Sequence, residues 1–266
     1  MRIKVLAFAS SLLLTYNTSA GIPQSPSTPP SSPQAATLLA QSAKALTGSM
    51  VVNDVTLTGT VEWIAGSDDE SGTVTYKGLG GAYRLDMTFR NGTRSEIVSP
   101  VNGRPSGNWI GLDSTSHPMA KHNLMVDPGW FPTIALGNAI SSPISIFTYV
   151  GQETRNGASV VHLSAYQQSP NISSDVASRM QHSTQVEIYL DASTFLPVSY
   201  AYNSHPDNNA LTDIPVEVRY SNYQNIGGLQ IPFRVQKYIN STLAVDLHFQ
   251  NATPNTGITL AQISTQ

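Results

Sequence analysis

Tyr83-Arg84-Leu85-Asp86-Met87-Thr88-Phe89-Arg90-Asn91-Gly92 alternates apolar and polar side chains and then meets an Asn-Gly pair. Successive side chains of a strand point to opposite faces. Tyr83, Leu85, Met87 and Phe89 are therefore expected on an apolar interior, and Arg84, Asp86, Thr88 and Arg90 toward water. Asn91-Gly92 supplies a tight hairpin turn into a returning strand over 93–99. Just upstream, Val55, Leu57, Gly59, Val61 and Trp63 alternate in the same way with Thr56, Thr58, Thr60 and Glu62. Asn102-Gly103 before Pro105 is a further turn, leading to a short strand at Trp109-Ile110.

The rhythm continues toward the C-terminus. Strands are expected at 144–150, 158–165, 184–190, 196–203, 215–223, 231–239 and 243–250, with Asn240-Ser241 as a hairpin turn. Residues 112–142 interrupt it: Pro128, Gly129 and Pro132 bracket Trp130-Phe131, and Thr133 to Ile140 suit a short helix. This stretch reads as an insertion packed over the sheet. Pro170 to His182 reads as a polar loop with one helical turn. No repeat of 20–50 residues is visible, which argues against a propeller or solenoid.

Before the strands, Ser32 offers a helix N-cap, Pro33 suits the first helical position, and Leu38, Leu39, Ser42, Ala43 and Leu46 recur at helical spacing up to Gly48. One amphipathic helix is expected over 33–47. The fold class is thus α+β, mainly β: one N-terminal helix and a short helical insertion against about ten antiparallel strands. So large a sheet must curl. Glycines at 78, 80, 81, 227 and 228 suit bulges or bends where it does.

The N-terminus reads as an export signal over 1–20. Arg2 and Lys4 precede the apolar run Val5–Leu14, and Thr18-Ser19-Ala20 is a small-residue cleavage site. The run is too short for a permanent anchor. With no cysteine in the chain, a lipid-modified N-terminus is excluded, as are disulfides. The Pro- and Ser-rich stretch 21–33 reads as a linker, and 34–266 as a single domain long enough for a sizeable core. The product is expected to be periplasmic or secreted, with no transmembrane segment after cleavage. Removing Arg2 and Lys4 from 14 basic residues leaves 12 against 17 acidic, a net charge of −5. That argues against nucleic acid and anionic membrane surfaces as partners.

The strand punctuation resembles that of the periplasmic lipoprotein-carrier superfamily, LolA-like and RseB-like half-barrel proteins. The resemblance rests on Tyr149-Val150-Gly151-Gln152-Glu153 with Gly157, on Ile188–Pro197 with Asp191 opening the turn, on Tyr220-Ser221-Asn222-Tyr223, and on Gly228-Leu229-Gln230-Ile231-Pro232-Phe233. It spans roughly residues 34–262. It implies a curved antiparallel half-barrel around helices, holding a lipid or acyl chain in a carrier or recognising a segment of an envelope protein in a sensor. An arginine inside the cavity controls release in the lipoprotein carriers, and no equivalent is placed here. The insertion at 112–142 is longer than expected.

A secreted enzyme of unknown type is the third and least favoured reading, since no recognisable catalytic motif supports it. No G-x-S-x-G elbow, Walker or Rossmann glycine pattern occurs, and no catalytic residue, cofactor or metal is expected. His117 and His122, with Asp113 and Asp127, match no zinc spacing and read as polar loop residues. Asp68-Asp69-Glu70-Ser71-Gly72 lacks the alternating ligands of an EF-hand and reads as a solvated hairpin loop. Asp191 reads as the cap of its own turn. Asn91, Asn171, Asn240 and Asn251 each open an N-x-Ser/Thr acceptor, which matters only in a host that glycosylates. Val61, Trp63, Tyr83, Leu85, Met87, Phe89, Trp109 and Trp130 are the candidate ligand-binding residues, with ordinary core as the alternative reading. A purely apolar site suffices energetically: ten buried CH₂ groups are worth roughly 8 kcal/mol before binding costs.

Overall fold

The computed structural model describes residues 31–264, apart from residues 67, 103 and 105 and the side chain of Asp68. The expected signal at 1–20 and most of the linker lie outside the described residues. The end of the linker is attached: Ser32 N–H donates to Phe147 O at 2.8 Å, and Ser31 Oγ accepts from Phe147 N–H at 3.0 Å.

The helix α1 runs Pro33–Thr47, as its caps predict. Ser32 Oγ accepts from Ala35 N–H, and Gly48 leaves the helix at φ 57°, a conformation that costs glycine little. Ala35, Leu39, Ser42 and Leu46 form its buried stripe.

Next come the strands β1 (Asp54–Ala65), β2 (Asp68–Leu79), β3 (Ala82–Phe89), β4 (Gly92–Val98), β5 (Gly107–Ile110) and β6 (Ser116–Pro118). The insertion supplies helices α2 (Lys121–Val126) and α3 (Pro132–Ser141). The chain continues through β7 (Ser145–Arg155), β8 (Ala158–Gln167), helix α4 (Ser174–Thr184), β9 (Val186–Asp191), β10 (Pro197–Ser204), β11 (Ile214–Ile226), β12 (Leu229–Ile239), β13 (Thr242–Pro254) and helix α5 (Leu260–Ser264). All thirteen strands join one open antiparallel sheet, ordered β6-β5-β4-β3-β2-β1-β13-β12-β11-β10-β9-β8-β7. The curved half-barrel class stands, with thirteen strands in place of about ten and five helices in place of two among the described residues.

Three expectations need correction. Asp69 to Gly72 are not a loop but the first half of β2, paired with β1 from Ala65↔Asp68 to Asp54↔Leu79. Gly72 sits in that strand because β3 crowds it: a Cβ there would lie 2.2 Å from Thr88 O. The polar stretch after Pro170 carries a full helix, α4, started by Ser173, whose Oγ accepts from Val176 N–H. Gly80-Gly81 and Gly227-Gly228 make hairpin turns and not bulges. The register shifts fall instead at Thr58/Gly59, Tyr149/Gly151, Pro197/Ser199 and Lys237/Tyr238.

Leu85, Met87 and Phe89 are buried, and Tyr83 is half-buried. On the other face Thr88 and Arg90 are exposed, and Arg84 pairs with Asp86 at 2.7 Å. One large core lies between the inner face and the helices: Leu39 and Leu46 of α1 join Leu57, Val61, Val74, Leu85, Val218, Val235 and Leu247 of the sheet. α1 packs on β7, β12 and α3.

Candidate functional site

Residues opposed across antiparallel strands share a face, so register alone assigns the inner surface. Trp63 faces Val245, which faces Lys237, then Val218, Tyr200, Ile188 and Leu163. A lysine thus stands within an apolar row. A second row runs Leu57, Tyr76, Leu85, Glu96, placing a carboxyl group on the same inner face.

Isolated charges there would be costly; these are gathered. Lys237 Nζ lies 3.2 Å from Asp127 Oδ2 and 4.9 Å above the Trp130 ring. Glu96 Oε1 accepts from Trp130 Nε1–H at 3.3 Å and from the Tyr83 hydroxyl. Burial pushes the Glu96 carboxyl above its ordinary range, against the pull of Lys237. Burial pushes the Lys237 ammonium down, but Asp127 and Glu96 outweigh this and hold it above the usual lysine value. Asp127 also accepts from Gly129 N–H at 2.7 Å. Gly129 has φ 73°, and a Cβ there would lie 3.3 Å from the Tyr83 ring, so both its conformation and its space favour glycine.

Beside this cluster is a cavity of about 340 Å³ between the insertion and the sheet. Ile134, Phe131 and Met125 from the insertion and Phe147, Ile188 and Tyr200 from the sheet give it a mainly apolar lining, with Asp127 and Tyr83 among its polar members. The Tyr200 hydroxyl is buried without a hydrogen-bond partner, and burial pushes its pKa up. An orphan hydroxyl of this kind costs about 1–3 kcal/mol. The volume falls in the usual range for small-molecule sites.

The eight sequence candidates divide. Tyr83 lines the cavity. Trp130 is buried behind it, holding Glu96 and Lys237. Val61, Leu85, Met87 and Phe89 lie in the core cluster, with Trp63 packed against it beneath the guanidinium of Arg94 at 4.9 Å. Trp109, on the short strand near the sheet edge, is 44% exposed and stacks on His117 at 4.0 Å. The His117, His122, Asp113 and Asp127 group does not assemble. Asp113 accepts from Thr115, Asp127 serves Lys237, and His122 packs edge-on to His205 at 5.7 Å. Asp191 caps its own turn: Oδ1 accepts from the N–H and hydroxyl groups of both Ser193 and Thr194.

Sequence reasoning missed Glu96, Lys237 and Tyr200, and read Asp127 only as a polar loop residue. For Lys237 a signal existed, since it continues the inward phase of Ile231, Phe233 and Val235, where a charge is out of place. Asp127 carried no such mark.

Among the described residues, no helix is long and apolar enough to cross a membrane. No family model and no curated protein matches the sequence. Solved structures do match. A domain from Vibrio parahaemolyticus described as an outer membrane lipoprotein-sorting protein aligns over 85% of this chain and 94% of its own, with TM-score 0.54 and 14% identity. A DUF1329 family protein from Desulfovibrio piger aligns over 87% and 96%, with TM-score 0.54 and 9% identity. A LolA superfamily protein from Nitrosomonas europaea aligns over 83% and 93%, with TM-score 0.46 and 13% identity. At these identities the likeness is one of fold: the chain shares the architecture of the Vibrio and Desulfovibrio structures, in line with the resemblance the sequence suggested.

Proposed function

We propose that the protein is an exported, non-catalytic carrier that holds a lipid or acyl chain in the cavity beneath the insertion. The observation that carries this reading is the cavity of about 340 Å³, lined mainly by apolar side chains with a few polar groups among them. The chain occupies the space between Phe131, Ile134, Phe147 and Ile188. Its polar end meets the Tyr83 hydroxyl and Asp127, and the partnerless Tyr200 hydroxyl donates to an ester or carboxyl oxygen. Tyr83 is the sequence candidate assigned direct contact. Trp130 positions the polar cluster, and Val61, Leu85, Met87 and Phe89 form the wall behind. Burying about ten CH₂ groups supplies roughly 8 kcal/mol before losses of freedom are deducted.

Native mass spectrometry of the purified protein after incubation with a bacterial lipid extract tests this reading. One lipid adduct per chain is expected. Absence of any adduct, with a stoichiometric envelope protein co-purifying instead, would favour recognition of a protein segment by the same fold.

A further inference from the structure

Three histidines far apart in sequence converge at one end of the β10–β11 connection. His205 follows β10 and Asp213 precedes β11; His182 lies in the last turn of α4 and His122 in α2. Asp213 Oδ1 is 3.2 Å from His182 Nε2 and 3.2 Å from His205 Nε2. The ligating atoms of His182, His205 and Asp213 all fall within 4.8 Å of one another. His122 adjoins them, its ring 5.7 Å from that of His205.

The His205 side chain is fully buried; its Nε2 has only the Asp213 carboxylate beside it, its Nδ1 makes no hydrogen bond, and His122 Nε2 is buried and partnerless too. Two buried ring nitrogens without partners in one cluster, His205 Nδ1 and His122 Nε2, are costly as they stand. The backbone here is held firmly. Asn123 Nδ2–H donates to His205 O at 2.8 Å, and His205 N–H donates to Asn123 Oδ1 at 2.9 Å.

We propose that His182, His205 and Asp213 bind a divalent transition metal, zinc being the fit for two imidazoles and a carboxylate, with His122 Nε2 or water as the fourth donor. The metal would tie the β10–β11 connection to α2 and α4. Both helices also reach the cavity, through Leu124, Met125 and Val126 and through Thr184. The site is therefore a clamp on one cavity wall, independent of what the cavity holds.

Zinc competition titration of the chelator-stripped protein tests the proposal, with cobalt(II) absorption reporting the ligand set. One equivalent should bind. Saturation at about a hundredfold above Kd should raise Tm by about 5–10 °C. His182→Ala and Asp213→Asn change side chains that are 41% and 42% exposed, so both variants should fold. Each should weaken zinc at least about tenfold, while His117→Ala, outside the cluster, should leave binding unchanged. No stoichiometric zinc in the wild type would overturn the proposal. So would equal affinity in His182→Ala and Asp213→Asn, or a loss as large in His117→Ala.

Discussion

Replacing Lys237 by Met removes one positive charge from the inner face and keeps most of the side-chain volume. Lys237 and Asp127 side chains are only 16% and 21% exposed and lie 3.2 Å apart. Removing one partner of a buried pair costs about 3–5 kcal/mol. The residual exposure and the Gly129 N–H on Asp127 place the expected loss at the lower end, about 3 kcal/mol at pH 7. In a domain of this size that lowers Tm by about 6–12 °C. The loss should depend on pH. Burial already holds Glu96 above its ordinary pKa, and without Lys237 it rises further. A group raised in the folded state contributes its stability below the unfolded pKa and loses it as pH rises through the folded value. The deficit should therefore be largest at pH 7 and shrink toward about pH 4.5, near the unfolded glutamate value. Adding Glu96→Gln should restore part of it at pH 7, since a neutral amide needs no counter-charge. Urea unfolding of the wild type, Lys237→Met and the double variant at both pH values reads all of this. A deficit under about 1 kcal/mol at pH 7, or one equal at both pH values, would refute the idea that Lys237 neutralises buried carboxyl groups.

Other substitutions probe the frame around the site. Gly228 has φ 101°, so Gly228→Val should cost about 1–3 kcal/mol in chemical denaturation. Pro232→Ala should cost far less, because Pro232 pairs with Tyr223 on β11 and lies before the β12 residues paired with β13; equal small losses would contradict this turn. Met87→Asp, at a site 4% exposed, should abolish the cooperative thermal transition, while Thr88→Asp on the outer face should leave it in place. Asp191→Ala should lose about 1 kcal/mol as the turn loses its cap. Hydrogen bonds from Ser193 help hold the Asp191 pKa below its ordinary value. Its contribution is thus present above the unfolded pKa and lost as pH falls through the folded one, so the variant's deficit should vanish in acid.

Local pattern made α1, the β3–β4 hairpin and the C-terminal strands legible, because alternation and turn residues act within a few positions. β2 was hidden because Asp68–Gly72 has loop composition. Its glycine answers to the closeness of Thr88 O on the next strand, which a linear reading does not contain. α4 was hidden because its only buried residue is Thr184, leaving little apolar period to detect. The site was less legible than the fold. Glu96 lies on β4, Lys237 on β12 and Asp127 just after α2, so sheet register and the folding of the insertion together bring them to one place. The aromatic and Met stripe was read correctly as inward-facing, but whether an inward position meets a helix or a cavity depends on where the insertion folds. Val61, Leu85, Met87 and Phe89 lie in the packed core, while Tyr83, nearest the insertion, reaches the cavity.

The carrier reading meets its most direct test in titration of a fluorescent fatty-acid probe into the wild type and Ala139→Trp. Ala139 lines the cavity from α3 and is partly buried, so an indole there should fill much of the space while leaving the fold intact, as an unchanged Tm would verify. The account predicts one probe per wild-type chain, displaced by unlabelled lipid, and little or no binding to a folded Ala139→Trp. No binding by the wild type, or equal binding by both folded proteins, would contradict it.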